Sequence, residues 1–311
     1  MDNPDEKFLT DLAQQFKIAQ NLPASEHIKI LKNLEKVDSE KLCLIFNYFL
    51  TIETNKEVLI YIIKTLSKIQ NDLTVEILSD MLITSAKDTS EENTKLMCEI
   101  VNTLGRSGNT NCVTTLLYVL NDKTENYKLR LACAEALGRI GSSYAVTPLI
   151  NVVTDDEEKS IYLRESAAKA LGMLGDMRAI EPLANILENK NGLFDKFTFL
   201  KERIVETLGR LGQSGDDKSF RALKNALEDE AACVRIGAIE ALSEIDDDKV
   251  IPLIEKMLDD DNEEVANAAV FALYEMFGED YLKELLVKVP LKKYCKEEIE
   301  RLLEENEEDN E

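Results

Sequence analysis

The stretch LRLACAEALGRIG, Leu129–Gly141, returns 34 positions later as LRESAAKALGMLG, Leu163–Gly175. Leu137, the leucine of its ALG core, has equivalents at Leu104, Leu171, Leu208, Leu242 and Leu273, in steps of 33, 34, 37, 34 and 31 residues. Fainter copies stand at Leu66 and Leu34. A unit this short cannot bury an apolar face by itself, so a chain that repeats it must stack the copies into a solenoid.

Each unit reads as two helices. In the second, Leu129, Cys133, Ala136, Leu137 and Ile140 recur at helical spacing and make one buried stripe. Small neighbours such as Ala132 and Ala134 let helices approach closely. Gly141, Gly175 and Gly212 follow the stripe, where glycine accepts a left-handed helix stop. Pro148, Pro182 and Pro252 fall where the next helix begins, a position that tolerates a missing N–H. Acid-rich turns then place carboxylates at helix starts, where the helix dipole favours them.

Pro-Leu in the first helix, an acidic turn, then Leu/Val-Arg, Ala-Ala and Ala-Leu-Gly in the second together resemble the HEAT-repeat family, in the short form found in phycobilin lyases. The resemblance is clear across residues 91–278 and faint across 1–90. It implies an all-α, right-handed α-solenoid superhelix of about seven or eight helix pairs, with the second helices on its concave side. The expected organisation is divergent repeats or a cap over 1–90, HEAT-like repeats over 91–280, and a C-terminal capping helix with an acidic tail over 281–311. The resemblance also implies that Arg130, Arg164, Lys201 and Arg235, each seven before its marker leucine, form a structural ladder. Their partners would be aspartates of the preceding turn: Asp122, Asp155 or Asp156, and Asp229.

Composition narrows the chemistry. The net charge is −23, of which residues 246–311 carry −14. Phosphate binding needs a basic face, so a nucleic-acid partner is not expected. Only one histidine is present, His27, which leaves no Ser-His-Asp or Cys-His system with a signature and no histidine-built metal site. The six cysteines show no C-x-x-C and read as buried thiols of a reducing compartment. No signal peptide is visible, and no apolar run reaches membrane length; LCLIFNYFLTI, Leu42–Ile52, is too short. A cytoplasmic protein with no membrane partner, no catalytic residue, no metal and no resident cofactor is the expectation. Deoxyhypusine hydroxylase, a HEAT-repeat enzyme, holds iron with His-Glu pairs, and this chain has none.

What packing leaves over lies on the second helices. Two residues past the markers come Arg106, Arg139, Met173, Arg210, Glu244 and Glu275; two before them come Asn102, Glu135, Lys169, Glu206, Glu240 and Phe271. Leu131 and Ile236 are apolar where solvent is expected. A row of arginines would grip carboxylates of another protein or the propionates of a tetrapyrrole. The long turn Glu188–Glu202 adds Phe194, Phe197 and Phe199 as a second candidate edge. The expected function is a non-catalytic scaffold or adaptor that binds a partner protein through Arg106, Arg139, Arg210, Leu131, Glu135, Lys169, Glu206 and these phenylalanines. The alternative carried by the repeat subtype is a lyase-like protein that holds a bilin as a transient ligand beside an acceptor cysteine.

Overall fold

The computed structural model describes residues 14, 16–17, 22–35, 38–69, 71–85, 90–189, 197–212 and 216–309. Among them are seventeen α-helices and no strand. The chain divides into two compact units, residues 1–148 and 149–311.

Unit 1 contains α1 (Ala24–Leu34), α2 (Ser39–Ile52), α3 (Lys56–Leu66), α4 (Asp72–Ser85), α5 (Glu91–Ser107), α6 (Val113–Asn121) and α7 (Tyr127–Ile140); α8 (Val146–Thr154) carries the division. Unit 2 contains α9 (Ile161–Leu174), α10 (Ile180–Glu188), α11 (Thr198–Gly212), α12 (Asp217–Ala226), α13 (Ala232–Ser243), α14 (Ile251–Met257), α15 (Glu263–Phe277), α16 (Glu279–Lys288) and α17 (Lys293–Asp309). Within each unit odd helices pack on odd and even on even: α3 on α5 and α5 on α7 in unit 1, α9 on α11, α11 on α13 and α13 on α15 in unit 2. This two-layer stack of helix pairs is an all-α solenoid architecture, and the odd helices are the second helices of the repeat.

The marker leucines explain the stacking. Leu104, Leu137, Leu171, Leu208, Leu242 and Leu273 are all fully buried, and each such side chain contributes roughly 1.5–3 kcal/mol of transfer free energy. Leu129, Cys133 and Ala136 are buried beside Leu137, while Ile140 is only half-buried. Helix starts follow side-chain capping: Ser90, Asn126, Ser160, Asp216 and Asn262 each accept a backbone N–H of the first turn.

Gly141 and Gly175 end α7 and α9 in the left-handed region, at φ 78° and 68°. Gly212 is not a stop of this kind. It is the last residue of α11, and a Cβ there would lie 2.7 Å from Cβ of Ser219. Its job is the close approach of α11 to α12. The thiols also divide. Cys43, Cys112, Cys133 and Cys295 are buried, but Cys98 is half-buried and Cys233 exposed. Beyond Gly278 the chain forms two helices, α16 and α17, with Ile299 and Leu302 buried and Leu303 half-buried on the second. Among the described residues no helix is long and apolar enough to cross a membrane.

Candidate interaction face

The basic ladder is present, but its geometry differs from the expectation. Arg130 Nε donates to Leu120 O at 2.8 Å, and Arg164 Nη1 donates to Val153 O at 2.7 Å, with Nη2 on the carbonyls of Asp155 and Glu158. These two arginines therefore cap the C-terminal carbonyls of α6 and α8, groups that have no partner inside their own helix. Lys201 and Arg235 also reach forward along the stack, while Arg235 Nη1 donates back to the carbonyl oxygens of Asp229 at 2.8 Å and Glu230 at 3.2 Å. Lys201 Nζ pairs with Asp229, in the turn before α13, at 2.7 Å; Arg235 grips Asp260, in the turn before α15, through two bonds of 2.9 Å. Asp229 does serve as a ladder acid, but for the preceding repeat. Helical side chains lean toward the N-terminus of their helix, and there the turn of the next repeat lies within reach.

The outward side of each odd helix holds the positions nine, six and two before and two after its marker leucine. In unit 1 these read Lys95, Cys98, Asn102, Arg106 on α5 and Lys128, Leu131, Glu135, Arg139 on α7. In unit 2 they read Tyr162, Glu165, Lys169, Met173 on α9; Phe199, Glu202, Glu206, Arg210 on α11; Cys233, Ile236, Glu240, Glu244 on α13; and Glu264, Asn267, Phe271, Glu275 on α15. All are exposed or half-buried. The charge changes sign between the units: four bases and one acid on α5 and α7, seven acids and two bases on α9 to α15.

The arginines named from sequence fall in different settings. Arg106 is exposed and makes no ion pair or side-chain hydrogen bond among the described residues. Arg139 donates to Asn102 Oδ1 at 3.1 Å and lies 3.8 Å from Glu135. Arg210 lies 3.1 Å from Glu206, which Arg203 also contacts. Glu135 and Glu206 thus hold arginines of their own helices, a pairing that complements the dipole at a helix end. Lys169 is exposed and Leu131 half-buried. Phe194 lies outside the described residues. Phe197 is half-buried just before α11, and Phe199 belongs to the first turn of α11, where it is 74% exposed. The expected long turn is therefore already helical from Thr198 onward.

Between α11 and α13 runs a groove of about 340 Å³. Glu202, Glu206, Arg210, Glu240 and Glu244 form its walls, over a floor of Gly209, Cys233, Ile236, Gly237 and Ala241. The floor is narrow because a Cβ on Gly209 would lie 2.7 Å from Cβ of Ala241. Partial burial raises the Glu240 carboxyl above its ordinary value, and Glu202, Glu244 and Glu206 push it further in the same direction. Glu165 is raised by burial as well, against the pull of Arg203. Tyr162, Glu202 and the exposure of Cys233 escaped the reading of the sequence. The row nine before the marker, which contains Tyr162, Phe199 and Cys233, holds the signal that finds them.

No curated protein matches the chain. Among solved structures, a chain of the structure of Kap95p with RanGDP aligns with TM-score 0.54 at 14% identity, over 90% of this chain and 44% of that one. An engineered protein aligns at 0.52 and 16% identity, over 93% and 87%. The complex of CpcE and CpcF of phycocyanin lyase from Nostoc sp. PCC7120 aligns at 0.44 and 21% identity, over 71% and 92%. The first two likenesses carry the solenoid fold. The family described as HEAT repeats matches residues 89–161, 124–196 and 191–274, together more than half of the chain. Those segments run from α5 into α15, and the chain belongs to the HEAT-repeat family.

Proposed function

We propose that this protein is a non-catalytic scaffold that holds a partner protein on the outward face of its odd helices, with the face of unit 2 as the main surface. One observation carries the reading. On α9, α11, α13 and α15 the four outward positions repeat at the same offsets from the marker leucines, and they bear large apolar and charged side chains in solvent. Isolated exposed apolar residues are ordinary; a set held in register on stacked helices is an extended surface for association. The even helices of unit 2 contrast with it. There Lys218 pairs with Glu181 at 3.2 Å, Arg221 with Glu188 at 3.0 Å, and Lys256 with Glu228, just after α12, at 3.3 Å, each joining neighbouring repeats, whereas the pairs of Glu206 with Arg203 and Arg210 stay within α11.

The test is affinity capture from the native host with mass spectrometry, using the wild-type chain, the odd-face variant Glu202→Lys/Glu240→Lys and the even-face variant Lys218→Glu. Capture should be lost in the first variant and kept in the second, with helicity unchanged in both. A partner that survives the odd-face reversals and disappears with Lys218→Glu would move the surface to the other layer. The same experiment with Arg139→Glu and Arg210→Glu measures what the arginines add.

A further inference from the structure

We infer that the segment seated on the odd face of unit 2 is a basic one that also carries apolar side chains, laid across α9, α11 and α13. This rests on the scaffold reading above and specifies the chemistry of its partner.

The apolar part follows from exposure. Tyr162 and Phe199 occupy equivalent positions at the start of α9 and α11 and are 62% and 74% exposed; Phe271 on α15 is 51% exposed. These are rigid rings with large contact area, the side chains that dominate protein–protein association once covered. Ile236, half-buried in the groove floor, offers a shallow apolar seat between α11 and α13.

Charge decides what covers the rings. Local helix physics asks for cations in a last turn. The chain supplies them as Arg106, Arg139 and Arg210 at the ends of α5, α7 and α11. It then inverts the rule: α13 ends with Glu240 in its last turn and Glu244 at its C-cap, and α15 has Glu275 in its last turn. Glu202, Glu240 and Glu275 have no cationic partner among the described residues. Carboxylates that oppose the dipole and crowd one another do nothing for the helices that bear them. A lysine or arginine arriving between α11 and α13 would relieve both penalties, with arginine able to fork across two oxygens. An acidic or phosphorylated segment would add to the crowding and is rejected by the same groups.

The two elements are also ordered along the helices. Phe199, Glu202, Glu206 run from the start of α11 toward its end, and Cys233, Ile236, Glu240, Glu244 run the same way on α13. Tyr162 and Phe199 stand at the N-terminal ends of α9 and α11, and Glu206, Glu240 and Glu244 lie toward the C-terminal ends of α11 and α13. The partner segment should therefore carry its apolar residues on one side and its basic residues on the other.

The experiment uses the full-length chain and three labelled synthetic peptides: one basic and amphipathic, one with every basic residue replaced by glutamate, and one basic with no apolar residue. Fluorescence anisotropy should show binding of the first, no binding of the second, and at least about tenfold weaker binding of the third. Glu202→Lys/Glu240→Lys should abolish binding. Glu240→Gln, which keeps the shape of the side chain, and Phe199→Ala should each weaken it, with circular dichroism unchanged. Equal binding of the first and third peptides, or binding insensitive to these variants, overturns the inference. So does a concentration-dependent self-association that the same reversals remove, because the occupant is then a second copy. A native partner captured on this face through an acidic segment would sink the inference and leave the scaffold reading standing. Peptide binding on this face, with native capture mapped to the even helices, would do the reverse.

Discussion

Lys201 Nζ lies 2.9 and 2.7 Å from the two carboxylate oxygens of Asp229, a residue of the next repeat, and both side chains are largely buried. The pair joins α11 to the turn that starts α13, where Asp229 Oδ1 also accepts the N–H of Ala231 at 3.0 Å. Removing one member leaves the other desolvated without its counter-charge. Lys201→Ala should destabilise the fold by about 3 kcal/mol, the lower end of the roughly 3–5 kcal/mol for breaking a buried pair, because both side chains keep a little exposure. The double variant Lys201→Ala/Asp229→Ala should lose less than the sum of the two single changes. Urea denaturation of the four proteins in the cycle measures both statements; strict additivity would mean the pair does not couple the repeats.

Two glycines on neighbouring helices should answer oppositely to the same change. A Cβ on Gly209 meets Cβ of Ala241 at 2.7 Å, whereas one on Gly237 meets only Cγ1 of Val205 at 3.5 Å, an ordinary contact. Gly209→Ala must push α11 from α13 and is expected to destabilise by about 1–3 kcal/mol. Gly237→Ala gains helix propensity without a clash and should stabilise by about 0.5–1 kcal/mol. Thermal melts of the two variants should move in opposite directions.

His27 sets a pH dependence. It is buried, its Nδ1 is 3.3 Å from Glu53, and its ring packs on Phe16 at 4.4 Å. Burial lowers its pKa from 6.5, and Glu53 opposes that only in part. The unfolded chain therefore binds the proton more readily than the folded one as pH falls below 6.5. Stability should be level above that value and decline below it. His27→Gln should flatten the slope between neutral pH and pH 5.5, read as melting temperature against pH. An unchanged slope in the variant would assign the pH response to other groups.

Arg210 and Glu206 form a half-exposed pair on one helix, and exposed pairs of this spacing contribute roughly 0.3–0.5 kcal/mol. Arg210→Ala should leave the melting temperature almost unchanged. If the arginine matters, it is to a partner, so the variant separates binding from folding.

Phycocyanobilin mixed with the protein should leave the visible spectrum unchanged. Two propionates would need neighbouring free cations, and of the three last-turn arginines only Arg106 is free among the described residues, since Arg139 and Arg210 are engaged by Asn102, Glu135 and Glu206. A red-shifted band on mixing would reverse this expectation.

The period of the marker leucines by itself determined the layered helix pairs, because a stripe at helical spacing has one way to be buried and short repeats must supply that burial to each other. The prolines at helix starts and the stops at Gly141 and Gly175 were legible for the same reason: each acts through its own backbone. The tertiary structure decided whatever depends on a residue in another repeat. It extended the ladder of Lys201 and Arg235 forward to Asp229 and Asp260, moved Gly212 from helix stop to close contact, and engaged Arg139 and Arg210 with glutamates of their own helices. It also set Tyr162, Phe199 and the groove acids on one face, with the sign of charge reversed from that of α5 and α7. Burial on a helix is periodic and can be counted along a chain. Pairing across a stack depends on which side chain leans toward which turn, and that is fixed only when the helices pack.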